Sequence, residues 1–148
     1  MPRVLVIAIG NPLRSDDGFG WRAAEAFQHD PGFARTEILT VHQLTPELAE
    51  SAAHADLVIF VDAALTGAPG TVHSLELSAR EECARFSHVL TPQSLMTLAE
   101  RLYTKRPKAF LVSVSGESFA HGESLSPEVR ESLPILVAKL RDLISAES

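Results

Sequence analysis

The residues with the most chemical potential lie in one short segment, Ile9 to Gly20, between an apolar run and a helical pattern. Asp16 and Asp17 are adjacent in it, close to the expected start of the helix. One aspartate there is explained by helix capping and by the helix dipole. A second suggests an outward-facing carboxylate, although paired acids also occur at solvated helix starts. Ligands of open α/β sheets bind at the carboxyl ends of strands, where this loop must lie.

Several common site motifs are absent from the sequence. The loop contains Gly10, Gly18 and Gly20, but neither a GxGxxG pattern nor a Walker-type lysine before Ser or Thr. The lack of an HExxH motif excludes an ordinary helix-borne zinc protease. The segment Ser113 to Gly116 lacks the first glycine of a nucleophile elbow. Cys83 follows two glutamates, whose charge disfavours a thiolate, so it is not expected to be a nucleophile.

Five strands are predicted around this loop. The runs that are apolar on both faces are typical of buried parallel strands, and the alternating run near residue 75 is typical of an edge. The predicted strands are Val4 to Ile9, Glu37 to Val41, Leu57 to Val61, Thr71 to Leu77 and Ala109 to Val114. The link Ala63 to Gly70 is too short for a helical crossover, which predicts that the fourth strand runs antiparallel to the third.

Four helices are predicted between and after these strands. The first covers Gly20 to His29, and three more are expected to begin at a hydroxyl cap followed by proline. These caps are Thr45-Pro46, Thr91-Pro92 and Ser126-Pro127. Pro134 should bend or interrupt the last helix. The order β-α-β-α-β-β-α-β-α predicts an α/β fold: a three-layer α/β/α sandwich with a mostly parallel five-stranded sheet and one antiparallel edge strand.

Composition limits the class of protein. The chain has 148 residues, of which 45% are hydrophobic, and is expected to form a single domain over residues 1–148. Its net charge of −6 disfavours nucleic acid as a partner. No apolar run is long enough for a membrane span, and the first residues do not resemble a signal peptide. The single cysteine fits a reducing compartment, so a cytoplasmic location is expected.

Four stretches, in consistent order, carry a resemblance that extends over nearly the whole chain. They are Gly10-Asn11-Pro12-Leu13-x-x-Asp16-Asp17-Gly18-x-Gly20, Val58 to Ala63, Ser87-His88, and Gly116 to Pro127. These stretches resemble the corresponding segments of the nickel–iron hydrogenase maturation peptidases. Such enzymes remove a C-terminal extension from the hydrogenase large-subunit precursor after nickel insertion. The segment Val41 to Thr45 departs from this pattern, because many members have a glycine-rich turn there.

The resemblance implies a metal-binding set of Asp17, Asp62 and His88. The residues themselves support this only in part. Asp62 follows an apolar strand, where a carboxylate must be paired, hydrogen-bonded or metal-bound, and donors from the next turn are an alternative to metal. His88 precedes a helix cap and is equally compatible with a surface loop. Two carboxylates with one imidazole suit nickel, zinc or cadmium better than magnesium or calcium.

By the same resemblance, the chain is expected to be an endopeptidase, metal-gated or of aspartic type. Its partner would be the large-subunit precursor, which supplies the nickel, and zinc or cadmium could occupy the site in isolation. Asp17 is the first candidate for a catalytic residue, and Asp16 is the second, for orienting water. Asn11, His42 and Glu117 are candidate substrate-binding residues near the expected crevice.

Two other functions stay open. A non-catalytic binding or chaperone module on the same fold is favoured by the divergent Val41 to Thr45 turn. A peptidyl-tRNA hydrolase-like enzyme shares an opening Gly-Asn-Pro. In that family, however, a catalytic His–Asn pair should follow the Gly-Asn-Pro motif. This sequence has Asp16-Asp17-Gly18 there, which argues against such an enzyme.

Overall fold

The structure is a computed structural model that describes residues 2–77, 90–105 and 107–147. Cys83 and His88 lie outside these residues. The predicted fold class is confirmed: helices cover both faces of a five-stranded sheet of mixed direction.

The sheet has the strand order β2-β1-β3-β5-β4. Neighbours among the first four strands in this order pair in parallel, and β4 pairs antiparallel with β5 at one edge. The strands are β1 (Val4–Ile9), β2 (Thr36–Val41), β3 (Leu57–Ala64), β4 (Val72–Glu76) and β5 (Lys108–Ser115). The fourth strand therefore runs in the predicted direction, but its partner is β5, which lies between β4 and β3.

Alternation along β1 explains the three layers. Val4, Val6 and Ala8 point to one face and belong to the core shared with helices α1 and α5. Leu5 and Ile7 point to the other face and pack with α2 and α3. Because both faces of β1 are covered, the strand is apolar throughout, as expected for a central parallel strand. The helices are α1 (Phe19–Phe27), α2 (Leu48–Ala53), α3 (Pro92–Tyr103), α4 (Pro127–Glu131) and α5 (Leu133–Ala146).

The three expected helix caps have different outcomes. Thr91 caps α3 as predicted, in a reciprocal capping box with Ser94. The Thr45 prediction is wrong, because α2 begins only at Leu48 and has no side-chain cap. Ser126 does precede α4, but its hydroxyl makes no cap hydrogen bond. The interruption predicted at Pro134 is confirmed, since the helical region divides at Ser132 into α4 and α5.

Within the described ranges, no helix is both long enough and apolar enough to cross a bilayer.

Candidate active site at the carboxyl edge of the sheet

A short 3₁₀ turn, Ser15–Gly18, carries the two adjacent aspartates between β1 and α1. With three residues per turn, successive side chains of a 3₁₀ helix point about 120° apart. The turn therefore sends the two carboxylates in different directions: Asp16 is fully buried and Asp17 only partly. The adjacent acids are thus not equivalent, although the sequence gives no sign of the difference.

The loop of residues 10–18 is held close to the end of β1. The Asn11 amide donates to both the carbonyl oxygen (3.1 Å) and the Oδ2 atom (3.0 Å) of Asp17. Gly10 has a φ of +151° and lies against the Asp17 carbonyl, so a side chain there would collide with the backbone. These contacts fix the Asp17 carboxylate at the carboxyl end of β1, and they involve the backbone amide of Asn11 rather than its side chain.

Asp62 lies inside β3, two residues before the strand ends at Ala64, rather than after the strand. The pKa of Asp62 is raised to about 7. Burial raises it most, a hydrogen bond from the Ala63 amide (2.8 Å) lowers it, and the negative charge of Asp17 adds to the rise. The structure therefore brings two of the three predicted ligands together, Asp17 and Asp62. Their mutual repulsion makes the site favourable for a cation.

The pKa of Asp16 is shifted in the opposite direction to that of Asp62. The Asp16 carboxylate accepts four hydrogen bonds from described residues: the amides of Glu117 (2.8 Å), Ser118 (2.9 Å) and Ser126 (2.7 Å), and the Ser126 hydroxyl (2.7 Å). Burial raises the pKa of Asp16, but these hydrogen bonds outweigh burial and hold the pKa below 3.8. This environment favours a structural role over the water-orienting role predicted for Asp16.

The three predicted substrate-binding residues are placed differently. Asn11 lies beside Asp17. His42 is exposed at the end of β2, where its ring packs edge-on against Trp21 at 5.0 Å. Trp21 Nε1 in turn donates to the Val41 carbonyl (3.0 Å). Glu117 is exposed and hydrogen-bonds to the carboxyl group of Glu128; this bond and the charge of Glu128 raise the pKa of Glu117.

No protein-family model matches the chain. It is 31% identical over 140 residues to the hydrogenase expression/formation protein HupD of Thiocapsa roseopersicina, in a match that spans 88% of this chain and 62% of HupD. It is 29% identical to an endopeptidase from Escherichia coli solved in solution, with a TM-score of 0.70 and coverage of 93% and 89% of the two chains.

The chain is similar to the hydrogenase maturation endopeptidases. Its fold matches that of the hydrogenase maturating endopeptidase HybD from E. coli, with a TM-score of 0.78, 24% identity and coverage of 99% of this chain and 94% of HybD. The resemblance inferred from the sequence motifs is therefore confirmed. The chain spans about 62% of the length of HupD, the curated relative that it matches.

The described residues do not define a complete metal site. Among residues 2–77, 90–105 and 107–147, no three His, Cys, Asp or Glu side chains are grouped so as to hold an ion. His88, the predicted third ligand, lies outside those residues, so the three-residue set stays a prediction.

Sequence reasoning missed the importance of two residues at this site. Ser126 was expected to cap a helix, and its hydroxyl instead binds Asp16, which is 110 positions away. Glu128 was not singled out, although it pairs with Glu117. The Ser-Pro pair at residue 126 looks the same in sequence as the true cap at Thr91-Pro92, so no local signal distinguishes them.

Proposed function

We propose that this protein is an endopeptidase that removes the C-terminal extension of a nickel-loaded hydrogenase large-subunit precursor. Similarity to hydrogenase maturation endopeptidases supports the class of reaction. The observation that carries the proposal is the pair formed by Asp17 and Asp62 at the carboxyl edge of the sheet, where the two charges repel each other. In folds of this kind the crevice at that edge is the usual ligand site.

The pair is chemically suited to meet a metal ion that arrives with the substrate. Carboxylate oxygens bind divalent ions, and a neighbouring cation would offset the repulsion between Asp17 and Asp62. His88 would add a nitrogen donor. It stands shortly before α3 in the sequence, and α3 packs on the sheet face that Val58 and Phe60 share with Asp62 by alternation. Zinc or cadmium could take the same donors in the isolated protein.

The proposal divides the work among the residues of this chain. Asp17, oriented by the Asn11 amide, and Asp62 would recognise the metal centre of the precursor, so that only loaded precursor is cut. The bound nickel would supply a Lewis acid for the scissile carbonyl or for water. Without a metal, the raised pKa of Asp62 lets its carboxyl group hold a proton near neutral pH, and binding of the metal would displace that proton.

Substrate contacts and location are part of the same proposal. The edge-on pair of His42 and Trp21 lies at the end of β2, next to the loop that holds Asp17, and the exposed His42 ring would contact the precursor chain. Glu117 contributes less in this scheme, because Glu128 already engages its carboxyl group. We place the reaction in the cytoplasm, which is consistent with a chain that has a single cysteine.

The deciding experiment compares nickel-loaded with nickel-free large-subunit precursor, with cleavage followed by mass spectrometry. We expect wild-type protein to cut only the loaded form, and Asp17→Asn, Asp62→Asn and His88→Ala each to reduce cleavage by about 100-fold or more. Glu76→Gln, at an exposed position on the edge strand β4, is the control and should cut normally. Equal cutting of both precursor forms would reject metal gating, and binding without cutting would support the non-catalytic module instead.

A further inference from the structure

The Asp16 carboxylate is the most completely engaged polar group near the site. It has no exposed surface, and its four donors come from a segment roughly 100 residues further along the chain. A group so enclosed does not touch substrate or bulk water. A buried carboxylate at the edge of a candidate active site nevertheless requires a physical explanation, because burying it without partners costs several kcal/mol.

The partner segment, residues 116–126, is also joined to the first loop through the backbone. The Asp16 amide donates to the Ser118 carbonyl (2.9 Å), and the Ser15 amide donates to the Gly122 carbonyl (2.7 Å). The Gly122 amide donates back to Leu13 (2.8 Å). The Asp16 side chain joins both ends of the segment, because its carboxylate accepts hydrogen bonds from Glu117 and Ser118 at one end and from Ser126 at the other.

The geometry of Asp17 depends on this attachment. Asp17 follows Asp16 in a 3₁₀ turn of four residues, and such turns have few and poorly aligned internal hydrogen bonds. Within the turn, the Asp17 amide donates to Arg14 (3.0 Å), and the Asn11 amide donates to Asp17. These contacts hold the turn on the side of Asn11 and Arg14. The bonds between Asp16 and residues 116–126 hold it at the residue next to Asp17, so the Asp17 carboxylate is restrained from both sides.

We infer that Asp16, held by Ser126, is a positioning residue that fixes the direction of the Asp17 carboxylate. The inference rests on the proposed function in one respect: Asp17 must meet the substrate. Asp16 itself takes no part in bond breaking. Ser126 offers the mildest way to loosen the arrangement, because its hydroxyl supplies one of four donors while its amide stays in place.

The test compares Ser126→Ala with Ser126→Thr, which retains a hydroxyl. With nickel-loaded precursor as substrate and rates corrected for the folded fraction, we expect Ser126→Ala to lower kcat about 10-fold and to change KM by less than about 2-fold. Ser126→Thr should restore kcat, and Asp16→Asn should lower it further. The control is Asp30→Ala, which breaks carboxylate bonds to Gly32 and Arg141 at a different turn and should leave kcat unchanged.

A second measurement, amide hydrogen exchange by NMR, does not depend on activity. Ser126→Ala should speed exchange of the Asn11 amide, which binds Asp17, and Asp30→Ala should not. If the wild type cuts the precursor and Ser126→Ala keeps the wild-type kcat, the inference is overturned and the proposed function stands. If the wild type does not cut, the proposed function fails. The Asn11 exchange rate then decides: faster exchange in Ser126→Ala supports the inference, and an unchanged rate overturns it.

Discussion

Asp16 and Asp62 are two carboxylates at the same edge of the sheet, and their environments shift their pKa values in opposite directions. Burial acts on both. Four hydrogen bonds outweigh burial at Asp16 and hold its pKa below 3.8. At Asp62 the Ala63 amide is the one donor among the described residues; burial dominates, with the charge of Asp17 added, and the pKa rises to about 7. The difference teaches that the number of donors, together with burial, decides whether the pKa of a carboxyl group at this edge is lowered or raised.

The largest expected effect that tests this comparison comes from Asp16→Ala. The change leaves the amides of Glu117, Ser118 and Ser126 without their acceptor, at a cost of about 1–3 kcal/mol for each donor that water does not reach. We expect the free energy of unfolding at pH 7 to fall by about 3–5 kcal/mol, measured by urea denaturation.

The pH dependence of the stability of Asp16→Ala is the control for this prediction. Because the pKa of Asp16 is lowered in the folded state, its contribution is present above the ordinary value of 3.8 and is lost as the pH falls through the folded pKa. The difference between wild type and Asp16→Ala should therefore shrink in acid. A loss smaller than about 1 kcal/mol at pH 7 would contradict the structural role of Asp16.

Asp62→Asn should raise the free energy of unfolding, and by less than Asp16→Ala lowers it. The pKa of Asp62 is raised in the folded state, so the folded protein binds more protons than the unfolded chain between about pH 4 and pH 7. Wild-type stability is therefore penalised as the pH rises through this window, and an asparagine removes the penalty. With a chelator present, we expect Asp62→Asn to be more stable than wild type by about 2 kcal/mol at pH 8, and by little at pH 4.

Thermal unfolding at the two pH values measures this effect. Asp56→Asn is a suitable control, because Asp56 is a carboxylate at the opposite end of β3 that accepts the Arg3 amide (2.7 Å). Equal stabilisation of Asp62→Asn at pH 4 and pH 8 would show that the asparagine acts through packing and not through the charge.

The smallest effect is expected at the surface pair formed by Glu117 and Glu128. Both are exposed, so water weakens their interaction, yet the hydrogen bond and charge of Glu128 raise the pKa of Glu117. In Glu128→Gln the pKa of Glu117 should fall toward its ordinary value, as measured by carbon-detected NMR titration of the side chain. Glu131→Gln, one turn further along, should not change it. An unchanged Glu117 pKa in Glu128→Gln would show that Glu128 does not raise the pKa of Glu117.

Much of the fold could be predicted from the sequence, because its causes are local or depend on simple periodicity. Strand β1 is apolar on both faces since both faces are covered, and Pro134 interrupts the last helical region because proline lacks an amide donor. The cap at Thr91 was predictable for the same reason: its partner, Ser94, is three residues away. The site was predictable in outline, since strand ends must meet at one edge of a parallel sheet.

The sequence by itself determined the order of the elements, the edge at which Asp17 and Asp62 would meet, and the resemblance to the hydrogenase maturation endopeptidases. Only the tertiary structure decided which of two adjacent aspartates turns inward, because that choice depends on donors in residues 116–126. The same contact overruled the local capping preference of Ser126, whose hydroxyl binds a buried charge more strongly than a helix end. The physical reason is sequence distance: a partner 110 residues away leaves no pattern in the residues beside it.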